Sequence, residues 1–123
     1  MKAELTIEES AKLIELGVDR KLASRHTLRM DIPTDIPNLY RKGEDSKPIF
    51  TLTDLLSILP KEIVLESGLH CDLKMQCVYK NWTVGYTPYA MSIFRAPELI
   101  DALYQLLIWA IENRHIELTE ESR

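Results

Sequence analysis

The clearest secondary-structure signal in this chain is the stretch at residues 69–87, LHCDLKMQCVYKNWTVGYT. Apolar residues occupy every second position through the first half of the stretch: Leu69, Cys71, Leu73, Met75 and Cys77. A two-residue period places successive side chains on opposite faces of a β-strand. A second alternating stretch follows over residues 82–87. The pattern predicts two antiparallel strands joined as a β-hairpin.

The connection between these two strands sets which residues pair. A two-residue turn at Lys80 and Asn81 places Tyr79 opposite Trp82. The same register pairs Cys77 with Val84 and Met75 with Tyr86. Each apolar residue then meets an apolar partner on one face of the sheet. We therefore expect this face to lie against the core.

Two helices are predicted before the hairpin at the start of the chain. Thr6 and Glu9 have the spacing of a capping box, so a helix should run over residues 7–16. Gly17 supplies the left-handed residue that ends such a helix. Asp19 can then cap a shorter helix over residues 20–25.

The middle of the chain is predicted to contain a long loop followed by a third helix. Residues 31–48 contain three prolines among mostly polar residues, which predicts a long loop. Thr51 and Asp54 form a variant of the capping box, so a helix should follow over residues 51–59. Pro60 ends it, and residues 63–65 have the composition of a short strand.

The last predicted helix runs over residues 97–114 and is apolar over about 200° of its circumference. A helix of this kind must be covered on more than one side. One interpretation is a central helix enclosed by the rest of the domain. The other is a self-association surface, with Ile108, Trp109 and Tyr104 as its candidate residues.

Together these elements predict an α+β fold, with three to four helices packed on a small antiparallel sheet built around the hairpin. The length of 123 residues suits one domain, which we place at residues 1–116. We expect residues 117–123 to be a polar C-terminal tail.

The composition limits the setting and the partners of the chain. The net charge of −4 disfavours unspecific adhesion to nucleic acid or to anionic lipid. The longest apolar run, residues 106–111, is too short to span a membrane, which takes about 20 residues. The start of the chain shows no secretory signal, so we expect a cytoplasmic protein.

The residues that most often carry catalysis are scattered. Cys71 and Cys77 share a strand face but lie about 20 Å apart, too far for a disulfide or for one metal ion. We expect both thiols to pack in the core. His26, His70 and His115 lack metal-binding spacing. The sequence therefore predicts no catalytic residue, no cofactor and no metal site.

A basic segment offers the alternative of nucleic-acid binding. Seven Lys or Arg against four Asp or Glu give residues 20–47 a net charge of +3. Residues 5–29, LTIEESAKLIELGVDRKLASRHTLR, resemble the helix-turn-helix of excisionase and MerR-type regulators. The resemblance implies DNA contacts from the second helix and its continuation: Arg20, Lys21, Arg25 and Arg29. The other interpretation is a plain helical corner whose basic side chains are solvated.

Three segments resemble a family of short hypothetical proteins associated with prophages and mobile elements of gut bacteria. They are LIELGVD at residues 13–19, IFTLTDLLSILPKEI at 49–63 and ELIDALYQLLIWAIEN at 98–113. The resemblance implies a mobile-element origin and transfers no functional residue. Our hypothesis is a non-enzymatic accessory protein with a protein partner or a homodimeric state. The alternative is a small DNA-binding regulator.

Overall fold

The computed structural model describes residues 2–26, 47–89 and 92–116. Within these ranges the chain forms three α-helices and two antiparallel sheets, which confirms the α+β class. In chain order the elements are α1 (Ile7–Glu15), a 3₁₀ turn (Arg20–Leu22), β1 (Arg25–His26), β2 (Pro48–Ile49), α2 (Leu52–Ile58), β3 (Glu62–Val64), β4 (His70–Val78), β5 (Asn81–Thr87), β6 (Phe94–Ala96) and α3 (Leu99–Glu112). The predicted tail and most of the predicted loop fall outside the described residues.

The larger sheet has the strand order β3-β4-β5-β6, with every neighbouring pair antiparallel. The predicted register between β4 and β5 is wrong by two residues. The connection consists of Tyr79 and Lys80, whose φ angles are 52° and 67°. Two left-handed residues give a turn whose twist matches that of the flanking strands. The observed apolar pairs are Cys77 with Trp82, Met75 with Val84 and Leu73 with Tyr86.

A shift of two residues leaves every side chain on its predicted face, because the period of a strand is two. Cys71, Val84 and Tyr86 are buried on the inner face of the sheet. The face that the alternation assigned to the core is therefore the face that packs.

The helix predicted over residues 20–25 is wrong. Only the three residues from Arg20 to Leu22 form a 3₁₀ turn, which begins with the Asp19 side chain accepting from the Lys21 N–H. The chain then extends, and Arg25–His26 pairs with Pro48–Ile49 in the smaller sheet. Ser24 explains the change, because both its N–H and its hydroxyl donate to the Asp54 carboxylate, at 2.8 and 2.9 Å.

α3 is the central element of the core. It contacts β5 and β6 of the larger sheet and also α2. Seven of its side chains are buried: Leu99, Ile100, Ala102, Leu103, Leu106, Leu107 and Ala110. The wide apolar arc of this helix is thus occupied by contacts within the domain.

The start of the chain is fastened to α3 by Lys2. Its Nζ lies 2.7 Å from Asp101 Oδ1 and 3.2 Å from Glu9 Oε1. Burial works to raise the pKa of the Glu9 carboxyl, but the Thr6 N–H and the Lys2 ammonium outweigh burial and hold the pKa below its ordinary value. This small network joins the first turn of α1 to the first turn of α3.

On the outer face of β5, the segment that leads into β6 lies in close contact with Gly85. A Cβ atom built on Gly85 would lie 2.7 Å from the Ser92 carbonyl oxygen and 3.0 Å from the Ile93 Cα. The Ser92 hydroxyl reinforces this approach by accepting from the Tyr86 N–H at 2.9 Å. Only glycine allows the two backbone segments to come so close.

Gly85→Ala should lower the free energy of unfolding by about 2 kcal/mol, because backbone atoms must move to admit the methyl group. Chemical denaturation measures the change. Gln76→Ala, at an exposed position of β4, is the control and should change stability by less than about 0.5 kcal/mol. Equal stability of Gly85→Ala and the wild type would contradict the close approach.

Glu9 should contribute to stability in a pH-dependent way. Because its pKa is lower in the folded chain, its contribution is present above the unfolded pKa and is lost as the pH falls through the folded value. Between about pH 6 and pH 3, the wild type should lose ~0.5 kcal/mol more than Glu9→Gln. Glu8→Gln, in the same helical turn, serves as the control and should follow the wild type.

Candidate interaction surface

The second half of β4 is exposed, although Val84 beside it on β5 is buried. Along its inner face Cys71 is buried and Leu73 is half-buried, whereas Met75 is 43% exposed and Cys77 is exposed. The turn that follows carries Tyr79, which is 93% exposed. We call residues 74–82 the distal arm.

The distal arm also has an open backbone edge. β3 pairs with β4 only at residues 70–72, and the Leu73 N–H donates to the Lys61 carbonyl at 2.9 Å. Past that point no strand in the described ranges lies on this side of β4. Within the described part of the chain, residues 74–78 are therefore an edge strand paired with β5 alone.

The direction of each backbone group on this edge follows from the turn. Val78 and Asn81 flank a two-residue connection, so they exchange hydrogen bonds with each other. The pattern alternates along the strand, so Gln76 points its backbone groups towards β5. The N–H and C=O groups of Met75 and Cys77 point away from β5, towards the open edge.

The prediction that both thiols lie in the core is wrong for Cys77. Cys71 is buried and free, while Cys77 is exposed and free. The alternation assigns both cysteines to one face correctly, but it carries no information on how far the cover of that face extends. Cys77 is the functional candidate that the sequence interpretation missed.

The residues predicted to contact nucleic acid lie in different local structures. Arg20 and Lys21 are exposed on the 3₁₀ turn, and Arg25 on β1 forms an ion pair with Glu4. Arg29 lies outside the described residues. The described part of the segment therefore lacks the second helix that a helix-turn-helix would place in the DNA groove. DNA binding by another arrangement of these residues stays a prediction.

The residues predicted for self-association on α3 are half-buried and engaged within the chain. Tyr104, Ile108 and Trp109 all pack against the core. The Trp109 ring stacks on His115 at a centroid distance of 4.9 Å and also contacts Tyr89 at 6.0 Å. Their role in an interface stays a prediction, and the distal arm offers the more open apolar surface.

A groove of about 450 Å³ lies beside α1 and β2. Its lining is mostly apolar, but it also includes Glu8, Arg20 and Lys47. Because these charges are of both signs, the lining favours neither an anionic nor a cationic ligand.

Other chemistry-bearing groups do not converge in the parts of the chain that the structure describes. His70 Nδ1 lies 3.3 Å from Glu62 Oε1, and both side chains are more than half exposed. No group of three metal-ligating residues forms among the described side chains. None of the described helices combines the length and hydropathy needed to cross a bilayer.

Comparisons with protein-family models, with curated proteins and with solved structures return no match to this chain.

The two thiols should differ in reactivity in the folded protein. A thiol reagent should modify Cys77 rapidly, whereas Cys71 should react only when the core opens, because it has no exposed surface. Absorbance of the released chromophore counts the reacting thiols over time. Cys77→Ser is the control and should abolish the fast phase. Two thiols reacting at one rate would contradict the difference in burial.

Proposed function

We propose that the chain is a non-enzymatic interaction protein that associates with a second copy of itself through the distal arm. The observation that carries this proposal is the combination of an open backbone edge with exposed apolar side chains at Met75, Val78 and Tyr79. An accessory role in a mobile element, implied by the sequence resemblance, belongs to the same proposal.

The chemistry of the edge supports association. Natural proteins protect exposed edge strands with charged residues, prolines or bulges, because an open edge readily pairs with another strand. The only charged residues of the distal arm are Lys74 and Lys80. The residues between them, 75–79, carry no charge and no proline.

The burial of reactive groups supports the non-enzymatic part of the proposal. The Asp54 carboxylate accepts from the Ser24 N–H, the Ser24 hydroxyl and the Thr51 N–H. Ser10 is also buried, and its hydroxyl accepts from the Phe50 N–H at 3.1 Å. These buried polar side chains are engaged in holding segments of the fold together.

Sedimentation velocity tests the proposal. The wild type should move from monomer to dimer as its concentration rises towards about 1 mM, with a Kd on the order of 100 µM, as expected for a small interface. Met75→Lys should weaken the association at least tenfold, because it brings an unpaired charge to the contact.

Leu69→Lys provides the matched control, since Leu69 is 44% exposed and precedes β4 at the end away from the distal arm. It should dimerise like the wild type, and thermal unfolding should show that both variants fold. A strict monomer throughout the concentration series would contradict the proposed function. Equal weakening by both variants would place the interface elsewhere.

A further inference from the structure

The outer face of the larger sheet presents a row of polar side chains across three strands. The register places Gln76, Thr83 and Arg95 side by side on β4, β5 and β6. The Arg95 Nε donates to the Thr83 Oγ1 at 3.4 Å, so these two side chains share one face. Val84 and Ala96, the next residues along β5 and β6, are buried on the inner face against α3. The row therefore lies on the face turned away from the core.

Two lysines extend this row towards both ends of the second half of β4. Lys74 lies on the same face as Gln76, two residues or about 6.6 Å away along the strand. Lys80 lies in the turn at the other end. Lys74, Lys80 and Arg95 are all exposed, and none of them forms an ion pair with a carboxylate of the described ranges.

The charge of this region is opposite to that of the whole chain. Residues 73–97 contain three basic residues and no Asp or Glu, which gives them a net charge of +3, whereas the chain carries −4. Acidic residues begin at Asp72, which pairs with Glu62 at the other end of the outer face. An anionic ligand is therefore attracted to one end of this face and repelled from the other.

The turn places an aromatic ring beside these charges. Tyr79 directly precedes Lys80 and is 93% exposed. Its φ angle of 52° is a left-handed conformation that glycine or asparagine adopts more readily than tyrosine. Residues held in such conformations are concentrated at functional sites. The exposed ring is thus a candidate contact for a ligand that also meets the cations.

We propose that this surface binds single-stranded nucleic acid. Phosphates lie against the three cations, and a base stacks on the Tyr79 ring. Proteins that bind single strands combine positive charge along the backbone path with aromatic side chains on which bases stack. We call this surface the basic face: Lys74, Gln76, Tyr79, Lys80, Thr83 and Arg95.

The exposed ring favours a single strand over other anionic partners. The bases of a duplex are already stacked on one another, whereas an unpaired base has a π-face free for tyrosine. An acidic peptide can neutralise the cations but offers the ring no such face. A flat anionic membrane would also meet the acidic end of the sheet, at Glu62 and Asp72.

The basic face is a different surface from those considered above. It lies outside the basic segment near the start of the chain, and it uses neither the open edge of β4 nor the inner-face side chain of Met75. Tyr79 is the residue that it shares with the proposed self-association surface. Nucleic-acid binding and self-association are therefore measured separately.

Fluorescence anisotropy of a labelled oligothymidylate of about 12 nucleotides is the first test. The protein is kept below about 30 µM, where the proposed dimer is a minor species. At about 20 mM salt the Kd should be on the order of 10 µM. The logarithm of the binding constant should fall with the logarithm of the salt concentration at a slope of about −2, as three phosphate contacts on a single strand require. No binding at this salt overturns the inference, whatever the oligomeric state.

Removal of two cations tests the site. Lys74→Gln combined with Arg95→Gln should weaken binding at least tenfold and reduce the slope to about −0.7. Lys12→Gln combined with Lys21→Gln removes the same charge from exposed positions near the start of the chain and is the matched control. The control should bind like the wild type, and thermal unfolding should show that both variants fold. Equal weakening by the two variants, or weakening by the control alone, overturns the proposed site.

Tyr79 tests whether the ligand is a single strand. Tyr79→Ala should weaken binding about tenfold with the salt slope unchanged, because it removes stacking and no charge. Tyr79→Phe keeps the ring and should bind like the wild type. Unchanged affinity of Tyr79→Ala overturns the stacking contact. Equal or tighter binding of a duplex of the same length overturns the assignment to a single strand.

Discussion

The burial of α3 is the constraint on which the rest of the structure depends. Its apolar arc is too wide for one neighbour to cover, so the larger sheet packs on one side and α2 on another. The helix contacts β5 and β6, where Val84 and Ala96 are buried. Met75 and Cys77 lie level with these residues on β4 but are exposed. In the described residues, the far end of β4 is thus left with an exposed apolar inner face and an open edge.

A few polar contacts complete the side of the core that the sheet does not reach. Lys2 ties the start of the chain to Asp101 on α3. Asp54 caps α2 and at the same time holds Ser24, so one carboxylate fixes two segments that lie 30 residues apart. In the described residues no buried side-chain nitrogen or oxygen lacks a hydrogen-bond partner. The buried polar side chains of the described core are thus all hydrogen-bonded, whereas the distal arm has an open backbone edge.

Features that depend on neighbouring residues could be predicted from the sequence. The capping boxes at Thr6 and Thr51 both form, because each involves residues only three apart. The burial pattern of β4 follows the two-residue period near its start. The predicted turn was wrong by one position, since neither Lys80-Asn81 nor Tyr79-Lys80 contains the glycine that usually marks a left-handed turn.

Features that depend on distant residues could not be predicted. The segment after Asp19 has local helix signals, but the hydrogen bonds from Ser24 to Asp54 draw it into an extended conformation. The pairing of β1 with β2 and of β5 with β6 likewise leaves no local pattern. Cys77 was assigned to the core because alternation identifies a face and not the length over which that face is covered. The candidate surface therefore emerges only when the exposure of Met75 and Cys77 is compared with that of their neighbours on β5.

Amide hydrogen exchange along β4, followed by NMR, tests most directly whether the distal arm is a paired strand with one open edge. At low concentration the amides of Lys74 and Gln76 should be protected by β5, while those of Met75 and Cys77 should exchange rapidly. Uniform protection of all four amides in the monomer would contradict the open edge. Uniformly rapid exchange would contradict the pairing with β5 and, with it, the account of the distal arm.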